Sequence, residues 1–129
     1  MGLNLLRVGD VWWGTVPYGE VVDAKKRPVV ILGWRGVGLR DGDAHVLVVP
    51  SSTFSGTPAK ARESDIGLKD WKVAGLEAGS FIQCARLWSL SPLAIDFDSG
   101  LLGSLDAADL NAVMGEIAAF FSVPALATV

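Results

Sequence analysis

One cysteine, one histidine and one tyrosine in 129 residues are a thin supply of reactive side chains. One thiol, Cys84, cannot close an internal disulfide. It lies in the strand-like run FIQCARLWSL with no His nearby in sequence, so it reads as a buried structural thiol rather than a nucleophile. A single His and a single Cys, neither in a spaced set, make no metal site, and no metal or other cofactor is expected. No apolar run is long enough to span a bilayer and no charged-then-apolar leader is present, so the expectation is a cytosolic protein with no membrane partner. Internal repeats and low-complexity tracts are also missing.

What the chain does have is apolar mass. Half its residues are hydrophobic and 19% are charged, enough to fold around a core. The length suits a single domain, residues 1–129. Five Trp is a high count for this length, and such side chains fill cores, interfaces or stacking platforms. The net charge of −3 is uneven. Residues 1–40 hold six basic and three acidic side chains; residues 41–129 hold five and eleven. A basic footprint for nucleic acid can come only from the first third.

The stretch from Arg27 to Ser52 organises the rest. RPVVILG and HVLVVPSS are β-branched runs, and the Gly- and Asp-rich WRGVGLRDGDA between them cannot hold a helix. This is a β-hairpin with a long loop. With the loop centred near Leu39 and Arg40, antiparallel register sets Arg27 opposite Ser52, roughly 5 Å apart at Cβ.

Around the hairpin, residues 1–8 read as a lead-in and Gly9-Asp10 as a turn. VWWGTVP is a first strand stopped by Pro17. Adjacent Trp12 and Trp13 must point to opposite faces, so at most one of them is core. Residues 18–26 read as a polar loop ending in Lys25, Lys26 and Arg27. Residues 53–63 are loop, DIGL is a short strand, and SFIQCARLWSLSPLAI is a strand broken at Pro92. The last element is a helix with Ser104 as N-cap and Asp106 and Asp109 in its first turns. Its stripe of Leu110, Val113, Met114, Ile117 and Phe121 suits a lid on a sheet. The sum is a mainly β fold: a compact antiparallel, barrel-like sheet covered by a C-terminal helix.

The order of these motifs resembles the MazF/PemK (Kid) family of type II toxin–antitoxin toxins. The matching pieces are Gly9-Asp10-VWW, Arg27-Pro28-VVIL, VVPSS, Gly75-Leu76, the Arg86-bearing FIQCARLWSL and the final helix, together covering residues 7–122. The resemblance implies an SH3-like barrel with helices, a homodimer, and a metal-independent endoribonuclease acting on single-stranded RNA at short motifs. It also implies a cognate antitoxin whose acidic C-terminal tail covers the site. Carried across by position, Arg27 and Ser52 are the catalytic pair, with Ser51 the alternative hydroxyl. The chain departs from the family in YGEVVDAKK, which lacks the Ser-Glu-Gln-type motif before the Arg, and at Phe54, where Gln is common.

The chemistry fits these residue types. RNA is cut without metal when its 2′-OH attacks the adjacent phosphorus, leaving a 2′,3′-cyclic phosphate and a 5′-OH. An always-protonated guanidinium suits the charge that gathers on the phosphoryl oxygens, and a Ser hydroxyl can donate a second hydrogen bond. For proton transfer, His45 lies seven residues up the strand from Ser52, roughly 23 Å away at full extension. Glu20 and Asp23 are the nearer candidates, or else simply solvating charges. Lys25 and Lys26 either contact phosphates or form a charged turn. Trp34 and Phe54 are candidate stacking faces for bases, and Arg86 reads as a paired structural residue. Two other readings stand beside the nuclease: a gyrase-binding toxin resembling the CcdB branch, using Phe120, Phe121 and the tail, and a non-catalytic SH3-like interaction module.

Overall fold

The computed structural model describes residues 2–18, 21–36, 44–53 and 63–122, with the backbone alone for Tyr18, residues 21–25 and Thr53. Glu20, Phe54, the centre of the long loop and the C-terminal tail lie outside the described residues, as do the side chains of Asp23 and Lys25.

The long hairpin is formed by β2 (Val21–Arg35) and β3 (His45–Thr53), paired antiparallel from Arg35–His45 to Val29–Pro50. Val29–Pro50, Val30–Val49 and Ile31–Val48 sit in the register expected from the loop position. A bulge between Ile31 and Gly33 then moves the pairing by one residue.

Before it stands β1 (Asp10–Tyr18), which pairs with β2 along nearly its whole length. The expected polar loop over residues 18–26 is therefore corrected. Lys25 and Lys26 lie in β2, opposite Val16 and Thr15. Ladder bonds to β1 satisfy this backbone whatever its side chains carry, and β3 has by then turned to other partners. Charged side chains are tolerated on such an edge.

On its other side β3 pairs with β6 (Trp88–Leu90) at Val46–Val48 and with β5 (Ser80–Gln83) at Ser51–Thr53. The single strand expected over SFIQCARLWSL is thus two. Their registers on β3 differ by three residues, which the turn after Gln83 takes up through Arg86 N–H to Gln83 O at 2.9 Å. Two short strands, β4 (Asp65–Gly67) and β7 (Gly103–Ser104), complete the order β4-β5-β3-β2-β1-β7.

Both faces of this sheet are buried, which is why RPVVILG is a continuous apolar run rather than an alternating one. Val29 and Ile31 enter one core with Trp12, Val16, Val46, Val48 and Ile95. Val30 and Leu32 enter the other with Val11, Val49, Ile82, Cys84 and Val113. Residues 1–8 do more than lead in: a short 3-10 helix, Gly2–Leu5, helps bury Leu3 and Leu6 in the first core.

The C-terminal helix is α1 (Ala107–Phe120). Its N-cap is Asp106 rather than Ser104, accepting from Asp109 N–H at 2.8 Å. Ser104 is held in β7, its hydroxyl donating to Asp10 at 2.6 Å. The buried Asp109 carboxylate accepts the N–H groups of Lys69 and Asp70, both at 3.0 Å, and so anchors the helix to the segment after β4. Three of the five residues of the expected stripe are used. Val113 is buried and Leu110 and Ile117 pack on the second core, while Met114 and Phe121 remain exposed. No described helix is long and apolar enough to cross a membrane.

Candidate active site

Pro28 and Pro50 sit where β2 and β3 cease to pair. Neither has an N–H to continue the ladder. A side chain closes the gap instead: Ser51 Oγ donates to Pro28 O at 3.0 Å. Past this point β3 follows β5, with Ser52 opposite Phe81, and the two strands leave a cleft of about 330 Å³. Arg27 and Ser52 both line it. They are brought together without being a ladder pair.

The other walls come from distant segments. Trp13, opposite Pro28 on β1, forms one wall, and Leu76, Glu77 and Ser80 form another. That second wall depends on a close approach of backbones. Gly75 has φ +80°, and a Cβ there would lie 1.9 Å from Leu102 O; a Cβ on Gly103 would lie 2.5 Å from Val73 O. Only glycine fits both, and their contact carries the chain from the turn at Trp71–Gly75 to the rim at Glu77.

Of the other residues singled out in the sequence, Ser51 is 5% exposed and its hydroxyl is engaged with Pro28, whereas Ser52 is half-buried at the cleft. Lys26 lines the cleft and forms an ion pair with Asp96. Ser99 grips the same carboxylate through its N–H at 3.0 Å and its hydroxyl at 2.6 Å. Lys26 first, and then Ser99, holds the Asp96 carboxyl below the usual carboxylate range. Trp12 is core, edge-on to Phe97 with ring centroids 5.2 Å apart, while Trp13 faces the cleft, as opposite faces require.

Trp34 is exposed, but it lies at the other end of the hairpin with His45, away from Arg27 and Ser52. Cys84 is buried, and its thiol is pushed up to about 12, first by burial and then by Glu116 and Asp65. It is an inert packing group.

Glu77 and Ser80 were missed by the sequence reading. Glu77 is the one carboxylate among the described residues lining the cleft. Its only signal in the chain was its place directly after the Gly75-Leu76 pair.

The fold belongs to a known class: it is that of solved endoribonucleases and of a solved MazF toxin. No protein-family model matches it and no curated protein matches its sequence. Among solved structures it is similar to the Mycobacterium tuberculosis toxin MazF-mt6, with 22% identity, TM-score 0.60, and 88% of this chain and 97% of that one covered. It is also similar to an endoribonuclease in complex with its cognate antitoxin from Mycobacterial species, at 18% identity and TM-score 0.59, covering 91% and 95%. A third, an endoribonuclease from Mycobacterial species, aligns at 16% identity and TM-score 0.58 over 90% of each chain.

Proposed function

We propose that the protein is the toxin of a type II toxin–antitoxin system, a cytoplasmic, metal-independent endoribonuclease that cuts single-stranded RNA. The observation that carries this is the meeting of Arg27, Ser52 and Glu77 on one cleft, in a chain with the fold of endoribonuclease toxins.

In this reading the scissile phosphate sits between Arg27 and Ser52. The guanidinium fork and the Ser52 hydroxyl donate hydrogen bonds to the phosphoryl oxygens, where negative charge grows in the transition state. Glu77 takes the proton from the 2′-OH. The 2′-oxygen bonds to phosphorus and the bond to O5′ breaks. O5′ takes a proton from water to become the 5′-OH, Glu77 returns its proton to solvent, and the 2′,3′-cyclic phosphate stays on the other fragment. Ser51 holds the strand end through Pro28, and Trp13 offers a half-buried wall for an unstacked base. The Arg27–Lys26 rim also suits the acidic tail of an antitoxin, and the active species is a homodimer.

The test is direct. The purified chain should cleave a long, varied single-stranded RNA in EDTA, leaving 2′,3′-cyclic phosphate and 5′-OH ends, and Arg27→Ala should remove the activity. Intact RNA from a folded wild-type protein would refute the proposal. A partner-binding toxin of the same fold is the second reading, favoured by Phe120 and Phe121. Both are exposed at the end of α1, with ring centroids 4.9 Å apart. It predicts growth arrest that Phe120→Ala with Phe121→Ala relieves while RNA remains uncut.

A further inference from the structure

Lys26 belongs to two clefts. One is the Arg27–Ser52 cleft; on the other side of the lysine lies a second, of about 420 Å³. The two are joined through the backbone. Asp96, in the second cleft, donates its backbone N–H to Trp13 O at 2.8 Å, and Trp13 is a wall of the first. The Asp96 carboxylate fixes the Lys26 ammonium at the divide.

The second cleft has a different character from the first. One wall is apolar: Leu93, 92% exposed, stands beside the half-buried Phe97. The polar groups are Thr15, Lys26, Asp96 and an exposed Asp98. Two carboxylates against one ammonium repel a phosphate, and they repel an acidic peptide equally. An exposed apolar surface beside hydrogen-bond acceptors suits instead a neutral, planar group with N–H donors. That is the face and edge of an unstacked base.

Building on the nuclease reading of the first cleft, we propose that the second cleft binds a nucleobase of the same RNA strand. Leu93 lies under its face and Asp98 accepts from its edge. Guanine is the best match, because its Watson–Crick edge carries adjacent N–H donors that a carboxylate can accept together. Lys26, held by Asp96, is the divider that sets the base apart from the phosphate bound next door, so this cleft contributes to the choice of cleavage motif.

The experiment uses the full chain and a pool of random-sequence hexanucleotides with 2′-O-methyl riboses, which bind without being cut. Sequencing the bound fraction of wild type should show guanine enriched at one position. Leu93→Ala and Asp98→Ala alter exposed side chains and leave the cores intact; each should cut that enrichment about tenfold. Arg27→Ala should weaken binding across the whole pool while keeping the base preference. Absence of a guanine preference in wild type, a preference unchanged in both variants, or no binding of the pool would each overturn the subsite. If guanine is selected and lost as described while unmodified RNA is never cut, the subsite stands and the nuclease proposal falls.

Discussion

The two ends of the β2–β3 hairpin are built from similar side chains and differ in shape. At one end Arg27 lies near Ser51 and Ser52, with Trp13 alongside. At the other, Arg35 pairs with His45, and Trp34 and Leu47 are exposed beside them. Both ends offer a cation, hydrogen-bonding groups and an aromatic ring. Among the described residues the first is the more enclosed: at that end β3 turns onto β5, and the Gly75–Glu77 segment lines the same cleft as Arg27. The far end has Gly33 and Ser89 as further neighbours around a space of about 220 Å³. Chemistry at a hairpin end thus depends less on what the strands carry than on how far other segments come round to enclose it.

Substitutions can break this comparison. The largest effect on activity is expected from Arg27→Ala, which should abolish RNA cleavage, while Arg35→Ala at the other end should leave the rate within about twofold of wild type. Arg27→Lys sharpens the point. It keeps the charge but not the planar fork, and should recover only a small part of the rate in a gel-based cleavage assay.

Ser52→Ala and Glu77→Gln should each lower the single-turnover rate about 10²–10³-fold with little change in RNA affinity. His45→Ala, at the other end of the hairpin, should have no comparable effect. Gly75→Val attacks the wall itself. The left-handed backbone and the clash with Leu102 O should cost at least about 2 kcal/mol, read as a lower urea midpoint. An unchanged midpoint with full activity would show that the Gly75–Gly103 approach is not what builds the cleft.

The smallest effect is on salt dependence. Lys26→Ala should reduce the slope of log affinity against log salt by less than the roughly 0.7 expected for a freely available phosphate contact, since Asp96 already partners the ammonium. The pH behaviour follows from the same pair. The Asp96 carboxyl is depressed by Lys26 and Ser99, so the pairing is present above the ordinary carboxylate range and is lost only as pH falls below it. The Lys26 contribution to the salt slope should therefore be the same at pH 5 and pH 8.

Much of the scaffold was legible in the residues. The hairpin register from Val29 to Ile31 followed from the position of the Gly-rich loop, though not the bulge that shifts it nearer the loop, and Trp12 and Trp13 divided between core and cleft as alternation demands. Other features were decided by partners far away in the chain. Residues 21–26 look like a loop because Asp23, Lys25 and Lys26 are polar, yet pairing with β1 makes them strand. Ser104 looks like a helix cap, yet its hydroxyl is taken by Asp10 and Asp106 caps the helix. The helix stripe at Leu110–Phe121 shows where apolar residues recur, but not that the second core reaches only some of them.

By itself, then, the sequence determined the strand pair, the helix and the placing of Arg27 and Ser52 at the same end of a hairpin, because alternation, turn chemistry and register are local properties. Only the tertiary structure decided that this end is a cleft with Glu77 and Trp13 in its walls, and that Lys26 divides it from a second one. Those walls depend on how closely Gly75 approaches Gly103 and on where two prolines end a ladder. Such contacts between segments distant in the chain leave no periodic trace in it.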